Sequence, residues 1–203
     1  MNEYQREQLA AWQQIEQALE QMTAREKDGM RRDMGDYLHF REEVDSYLNL
    51  YFNKLCTASC YQNKRSACCS KDGILTFWAD LVIEALTSGP SHLKNMIAAI
   101  RAPEFADKCI YLTSGGCRWQ VNPLVCLMFL CDSVQQEVFS RQPEAARLWE
   151  NLCARARGFR WPDHSVLFDR LEAPFLDLDC FSPLMYLHTS PGLMRIKKKA
   201  GLY

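Results

Sequence analysis

The chain has 203 residues, enough for one sizeable domain, with 48% apolar and 24% charged residues, an ordinary globular mixture. Its 24 basic and 25 acidic residues balance, which excludes the strongly basic field of a nucleic-acid binder, so no nucleic-acid partner is expected. The longest apolar run, Pro123 to Cys131, is too short to cross a bilayer, and no membrane partner is expected either.

The N-terminus, M-N-E-Y-Q-R-E-Q, is polar and lacks a signal-peptide core, so a cytoplasmic location is expected. A reducing compartment disfavours disulfide scaffolds and favours metal or redox use of cysteine. Leu9, Trp12, Ile15, Leu19 and Met22 recur at helical steps. A charged break follows over Arg25 to Asp36, then a second stripe of Phe40, Val44, Tyr47, Leu48, Tyr51, Phe52 and Leu55. The two stripes are expected to pair as a helical hairpin, since neither can bury its face alone.

Residues 56–73 lose periodicity and form a polar loop with four cysteines. Helical spacing resumes from Ile74 through Leu86 and stops at S-G-P, 88–90, and a shorter helix carries Leu93, Met96, Ile97 and Ile100. Cys109 to Leu112 and Cys117 to Val121 flank T-S-G-G and predict a small β-hairpin. Asn122-Pro123 predicts a helix start, with the helix running to about Ser140. Gln142-Pro143 opens another with Trp149, Leu152, Cys153 and Ala156 on its apolar side. Prolines at 162, 174, 183 and 191 predict short helices and irregular segments beyond Gly158, and Lys197 to Lys199 reads as a solvated tail. The predicted fold class is mainly α: a helical domain with a central cysteine-rich metal-binding module containing a short β-hairpin. Its predicted divisions are a helical hairpin over 1–55, the module over 56–131, and C-terminal helices and tail over 132–203 packed as one domain with the module.

Eight of the ten cysteines fall into two groups of four: Cys56, Cys60, Cys68 and Cys69, then Cys109, Cys117, Cys126 and Cys131. Four thiolates complete a zinc or iron–sulfur site, because soft charged sulfur suits these metals. The eight sit at element ends and loops, where backbone can bend around an ion, whereas a core cysteine takes a regular apolar position. On one continuous helix from Pro123, Cys131 would share a face with Leu124, Leu127 and Met128, and Cys126 would lie about 140° away. Cys153 fits an apolar stripe and reads as core, and Cys180 as a non-ligand. Adjacent side chains diverge, so Cys68 and Cys69 suit two neighbouring sites, or a ligand and a supporting thiol, with a vicinal disulfide as the redox alternative.

There is no C-x2-C, H-E-x-x-H, G-x-S-x-G or G-x4-G-K-S/T anywhere in the chain. His39, His92, His164 and His188 are scattered and read as structural or surface residues. Asp177 and Asp179 read as a solvated loop, and Arg157, Arg160, Trp161 and Trp119 as residues that a fold would have to gather before they lined a pocket.

The cysteine pattern resembles a bacterial cysteine-cluster family of CxxxCC type, assigned to zinc or iron chelation and distantly related to flagellin lysine methylases. The resemblance covers about residues 56 to 131. It rests on the Cys68-Cys69 ending, Cys109-Ile-Tyr-Leu112, Gly116-Cys117, and Pro123-Leu-Val-Cys126 with Cys131 five residues on. The gaps before Cys68 are wider than the family's. The resemblance implies metal binding by all eight cysteines, with zinc or iron, a 4Fe-4S cluster included, as cofactor and the metal ion as partner. A cluster-dependent, methylase-like modification enzyme is the alternative, although no glycine-rich strand-to-helix turn for a nucleoside donor is present. Metal trafficking is the second alternative.

Overall fold

A computed structural model describes residues 1–62, 67–69, 76–160 and 167–185. It is mainly helical. Helix α1 (Glu3–Gln21) opens on a capping box in which Asn2 and Gln5 satisfy each other's backbone N–H groups. It buries Ala11, Trp12, Ile15 and Ala18. The two alanines let α1 lie close against α5 (Trp78–Thr87) and α6 (Pro90–Arg101). Gln5 reinforces that packing by donating from Nε2 to the Ile100 carbonyl at 3.0 Å.

The charged break expected over 25–36 instead holds a helix, α2 (Ala24–Asp33). Its start is a second capping box: Glu26 N–H donates to Thr23 Oγ1, and Thr23 N–H donates to Glu26 Oε2 at 2.7 Å. Helix α3 (Gly35–Tyr51) buries Tyr37, Phe40, Val44 and Tyr47. It rests mainly on α9 (Pro143–Arg160), α7 (Leu124–Leu127) and α2, while α1 rests mainly on α5 and α6. The two N-terminal stripes therefore find their principal partners elsewhere in the chain rather than in each other.

Helix α5 is buried on almost every side: Trp78, Ala79, Leu81, Val82, Ile83 and Leu86 are all inside. Such all-round burial marks a central helix. It also carries two carboxylates, Asp80 and Glu84, into the interior. Helix α10 (Leu167–Leu176) covers α5 with Leu167, Phe168, Leu171 and Phe175, and Phe175 meets Trp78 edge-on at 5.4 Å. Phe159, Tyr37, Phe168 and Phe77 continue the aromatic core in that order, with successive edge-to-face centroid distances of 5.3, 6.2 and 5.8 Å.

The hairpin forms where the glycines predict it, between β1 (Leu112–Thr113) and β2 (Gly116–Cys117), antiparallel with Leu112 opposite Cys117. Gly116 has φ of 113°, a backbone that a side chain would strain. The single helix expected from Pro123 to about Ser140 is broken. Helix α7 makes one turn, and α8 (Asp132–Arg141) starts afresh with Cys131 as its extended N-cap residue. Asp132 and Ser133 account for the restart: they disfavour a helix interior, and an acidic side chain is stabilised in a first turn.

Candidate metal centre

Six short pieces carry the eight cysteines. Helix α4 (Asn53–Cys56) continues α3 and passes into a π-helical turn, Thr57–Tyr61, which places Cys56 and Cys60. A single 3₁₀ turn, Ala67–Cys69, holds the vicinal pair. Cys109 precedes the hairpin, Cys117 ends it, Cys126 lies in α7, and Cys131 caps α8. The wider helical turn, the hairpin glycine and the break after α7 are all departures from regular structure, and each one aims a thiol.

The fold joins the two stretches directly. Cys109 N–H donates to the Cys69 carbonyl at 3.0 Å. Mutual electrostatic influence then defines two neighbourhoods. Cys69 is pushed up by its hydrogen bond with Cys68, by burial, and by the charges of Cys68, Cys109 and Cys117. Cys126 is pushed up to about 12 by burial and by Asp80, Cys109, Cys117 and Cys68. Cys56 is raised by burial and by Cys131, Cys60 and Cys68. Cys69 and Cys126 thus share the influence of Cys109, Cys117 and Cys68, while Cys56 feels Cys131, Cys60 and Cys68. Cys131, grouped by sequence with the later cysteines, acts electrostatically on Cys56.

The vicinal pair is split by its shared hydrogen bond. That bond lowers the Cys68 thiol, with Lys108 adding a smaller favourable charge, and raises Cys69. Backbone amides point at other sulfurs. Tyr111 N–H lies 3.4 Å from Cys109 Sγ, and Leu112 N–H donates to the Cys109 carbonyl at 3.0 Å. Cys117 Sγ accepts from Trp119 N–H and from the Asn122 side chain. Both cysteines repeat one arrangement, a sulfur accepting the amide two residues ahead, which stabilises charge on sulfur. Burial opposes it, holding Cys109 at about 11 and raising Cys117. Among the described residues, no three Cys, His, Asp or Glu side chains are gathered to hold one ion.

Cys153 lies on α9 and acts on Tyr47. Cys180, buried after α10, places Sγ 3.9 Å from the Leu178 carbonyl. His39 stands exposed beside Glu42 and Glu43, while His164, Trp161 and His188 lie outside the described residues. Trp119 is a core residue, packed on Tyr111 at 5.1 Å and Trp12 at 5.8 Å. Among the described residues, His92 has a buried partner, its Nε2 lying 2.6 Å from Glu84 Oε1. The signal for Glu84 was present as two acids, four residues apart, inside the apolar run W-A-D-L-V-I-E-A-L.

No family model, no curated protein and no solved structure matches the chain. Among the described residues, no helix is long and apolar enough to cross a membrane.

Proposed function

We propose that the chain is a metal-binding protein whose eight clustered cysteines hold zinc or an iron–sulfur cluster. The observation that carries this reading is the meeting of two cysteine stretches distant in sequence, through the Cys109–Cys69 backbone bond and the charge contacts around it. The donor chemistry fits. Each neighbourhood offers soft sulfur, counted as Cys69, Cys109, Cys117 and Cys126 in one and Cys56, Cys60, Cys68 and Cys131 in the other. In this assignment the vicinal pair divides between the two sites. Asp80 and Glu84 are 3% and 0% exposed, and their charges act on Cys126 and Cys117. Burial and these carboxylates favour the neutral thiols of Cys126 and Cys117, and a bound cation would offset the charge of their thiolates. Binding asks the thiols to lose their protons and rotate about their Cα–Cβ bonds into convergence. Zinc in four thiolates supplies structure, and an iron–sulfur cluster supplies electron transfer. The cysteine-cluster resemblance supports the same donor set.

The test is metal analysis of the full chain purified anaerobically, together with its visible spectrum and acid-labile sulfide. Stoichiometric zinc without colour, or iron with sulfide and broad visible absorption, is the expected result. The absence of both metals overturns the reading. Zinc affinity rises with pH from 6 toward about 9, because each ligating thiol must release a proton, and Cys109 and Cys126 hold theirs to about 11 and 12.

A further inference from the structure

The segment joining Cys117 to Cys126 carries two of the candidate ligands, yet only the single turn of α7 gives it regular structure beyond β2. Arg118 N–H donates to the Tyr111 carbonyl at 2.9 Å, and one side chain from outside anchors the middle of the segment. Glu84, fully buried on α5, accepts the Gln120 N–H on Oε1 at 2.8 Å and the Val121 N–H on Oε2 at 2.7 Å. His92 of α6 approaches Oε1 from the other side, with Nε2 at 2.6 Å and its own side chain 16% exposed. Ser88, at the end of α5, donates to Gln120 Oε1 at 3.0 Å. Both N–H groups at the midpoint of the Cys117–Cys126 segment are thus given to one carboxylate, which is fixed in turn by a neighbouring helix. Two short bonds to one side chain in a dry interior are directional, so they hold backbone at a fixed distance from α5.

We propose that Glu84, oriented by His92, is a positioning residue for the metal centre, holding Cys117 and Cys126 in register with Cys69 and Cys109. The inference rests on the metal-binding reading above. Glu84 touches no metal in this assignment and acts through the backbone. Groups that orient ligands in this way affect metal affinity by about 10- to 100-fold without being ligands. Glu84→Gln retains shape but replaces one acceptor with an amide donor, which leaves one of the two backbone N–H groups facing another N–H.

The experiment uses the full chain, stripped of metal, reloaded with zinc(II), alkylated with N-ethylmaleimide and mapped cysteine by cysteine. In wild type, zinc protects all eight cysteines. In E84Q, Cys117 and Cys126 react at least about tenfold faster, while Cys56, Cys60 and Cys131 stay protected. A general loss of stability would instead expose all eight together. H92A, which removes the group that orients Glu84, speeds Cys117 alkylation in the same direction as E84Q, and full protection of Cys117 in H92A overturns the orienting role of His92. If E84Q protects Cys117 and Cys126 as well as wild type does, the positioning role is overturned and the metal reading stands. If wild-type cysteines react equally with and without zinc, the metal reading falls and takes this inference with it. Should E84Q fail to fold, amide exchange in wild type decides. Coupling is reciprocal, so zinc must slow exchange at Gln120 and Val121, and unchanged exchange overturns the proposal.

Discussion

Tyr111 shows how much one residue next to a candidate ligand can organise. Its hydroxyl donates to Gln8 Oε1 at 2.8 Å and accepts from Trp12 Nε1 at 3.0 Å, and Gln8 passes the chain on to the Thr76 hydroxyl. Its ring lies edge-on to Trp119, and its backbone N–H faces Cys109 Sγ. The residue is fully buried, and burial with the neighbouring Tyr4 charge drives its phenol far above the ordinary range, so it remains a neutral donor. Tyr111→Phe keeps the ring and the amide but strands two buried polar groups, the Gln8 carbonyl and the Trp12 indole N–H. Leaving buried groups unpaired costs about 1–3 kcal/mol, so urea unfolding should show a loss of about 2 kcal/mol. Metal content should be unchanged, because the Cys109 contact is made by backbone. A loss under about 0.5 kcal/mol would show that the relay contributes no net stability.

At the scale of elements, the hairpin turn tests how backbone strain aims a cysteine. A Cβ at Gly116 would meet nothing within 4 Å, yet its φ of 113° lies where side chains are rarely tolerated. Any cost of Gly116→Ala is therefore conformational, about 1–3 kcal/mol for a strained residue. Gly115→Ala is the control. Its Cβ would make an ordinary 3.6 Å contact with Thr113 Oγ1, and no positive φ is involved. Thermal unfolding should separate the two variants clearly, and equal stabilities would remove strain as the reason for Gly116. The same turn shows what could be read in advance. Two glycines between apolar pairs announced the hairpin, and Gly89-Pro90 announced the start of α6, because these signals are local. The α2 helix was also written locally, as T-A-R-E at 23–26, but its charged body hid it from a search for apolar stripes. The split between α7 and α8 was obscured for the opposite reason, since an unbroken apolar run masks a change of direction. The cysteine stretches were legible as chemistry. Their crossing, by which Cys131 acts electrostatically on Cys56, was not, because pairing across the chain is a tertiary property.

At the scale of the whole molecule, no cysteine is among the largest fully buried side chains of the described residues, and this bears on what metal loss should do. The core of α1, α3, α5, α9 and α10 closes through Trp12, Trp78, Tyr37, Phe40, Phe168 and Phe175, all at most 1% exposed, with no cysteine among them. Seven of the eight candidate ligands are half-buried or exposed, and Cys109 alone is buried. Burial of large apolar side chains stabilises by roughly 1.5–3 kcal/mol each, so the core does not depend on ligation to stay folded. Chelation should therefore leave most far-UV circular dichroism intact while amide exchange accelerates selectively over 56–62, 67–69 and 109–131. Complete unfolding on chelation would mean that metal, not the apolar core, carries the fold. The stripped protein should also acquire a sensitivity to alkali. The Cys109 thiol rises from 9.0 to about 11 in the folded chain, so its neutral form contributes stability fully below pH 9. That contribution is lost as pH climbs through about 11, because the unfolded chain ionises first. Sulfur bound to metal has no proton to lose over this range, so the gap in melting temperature between loaded and stripped protein should widen above pH 9. A constant gap from pH 8 to pH 11 would show that Cys109 is not a ligand.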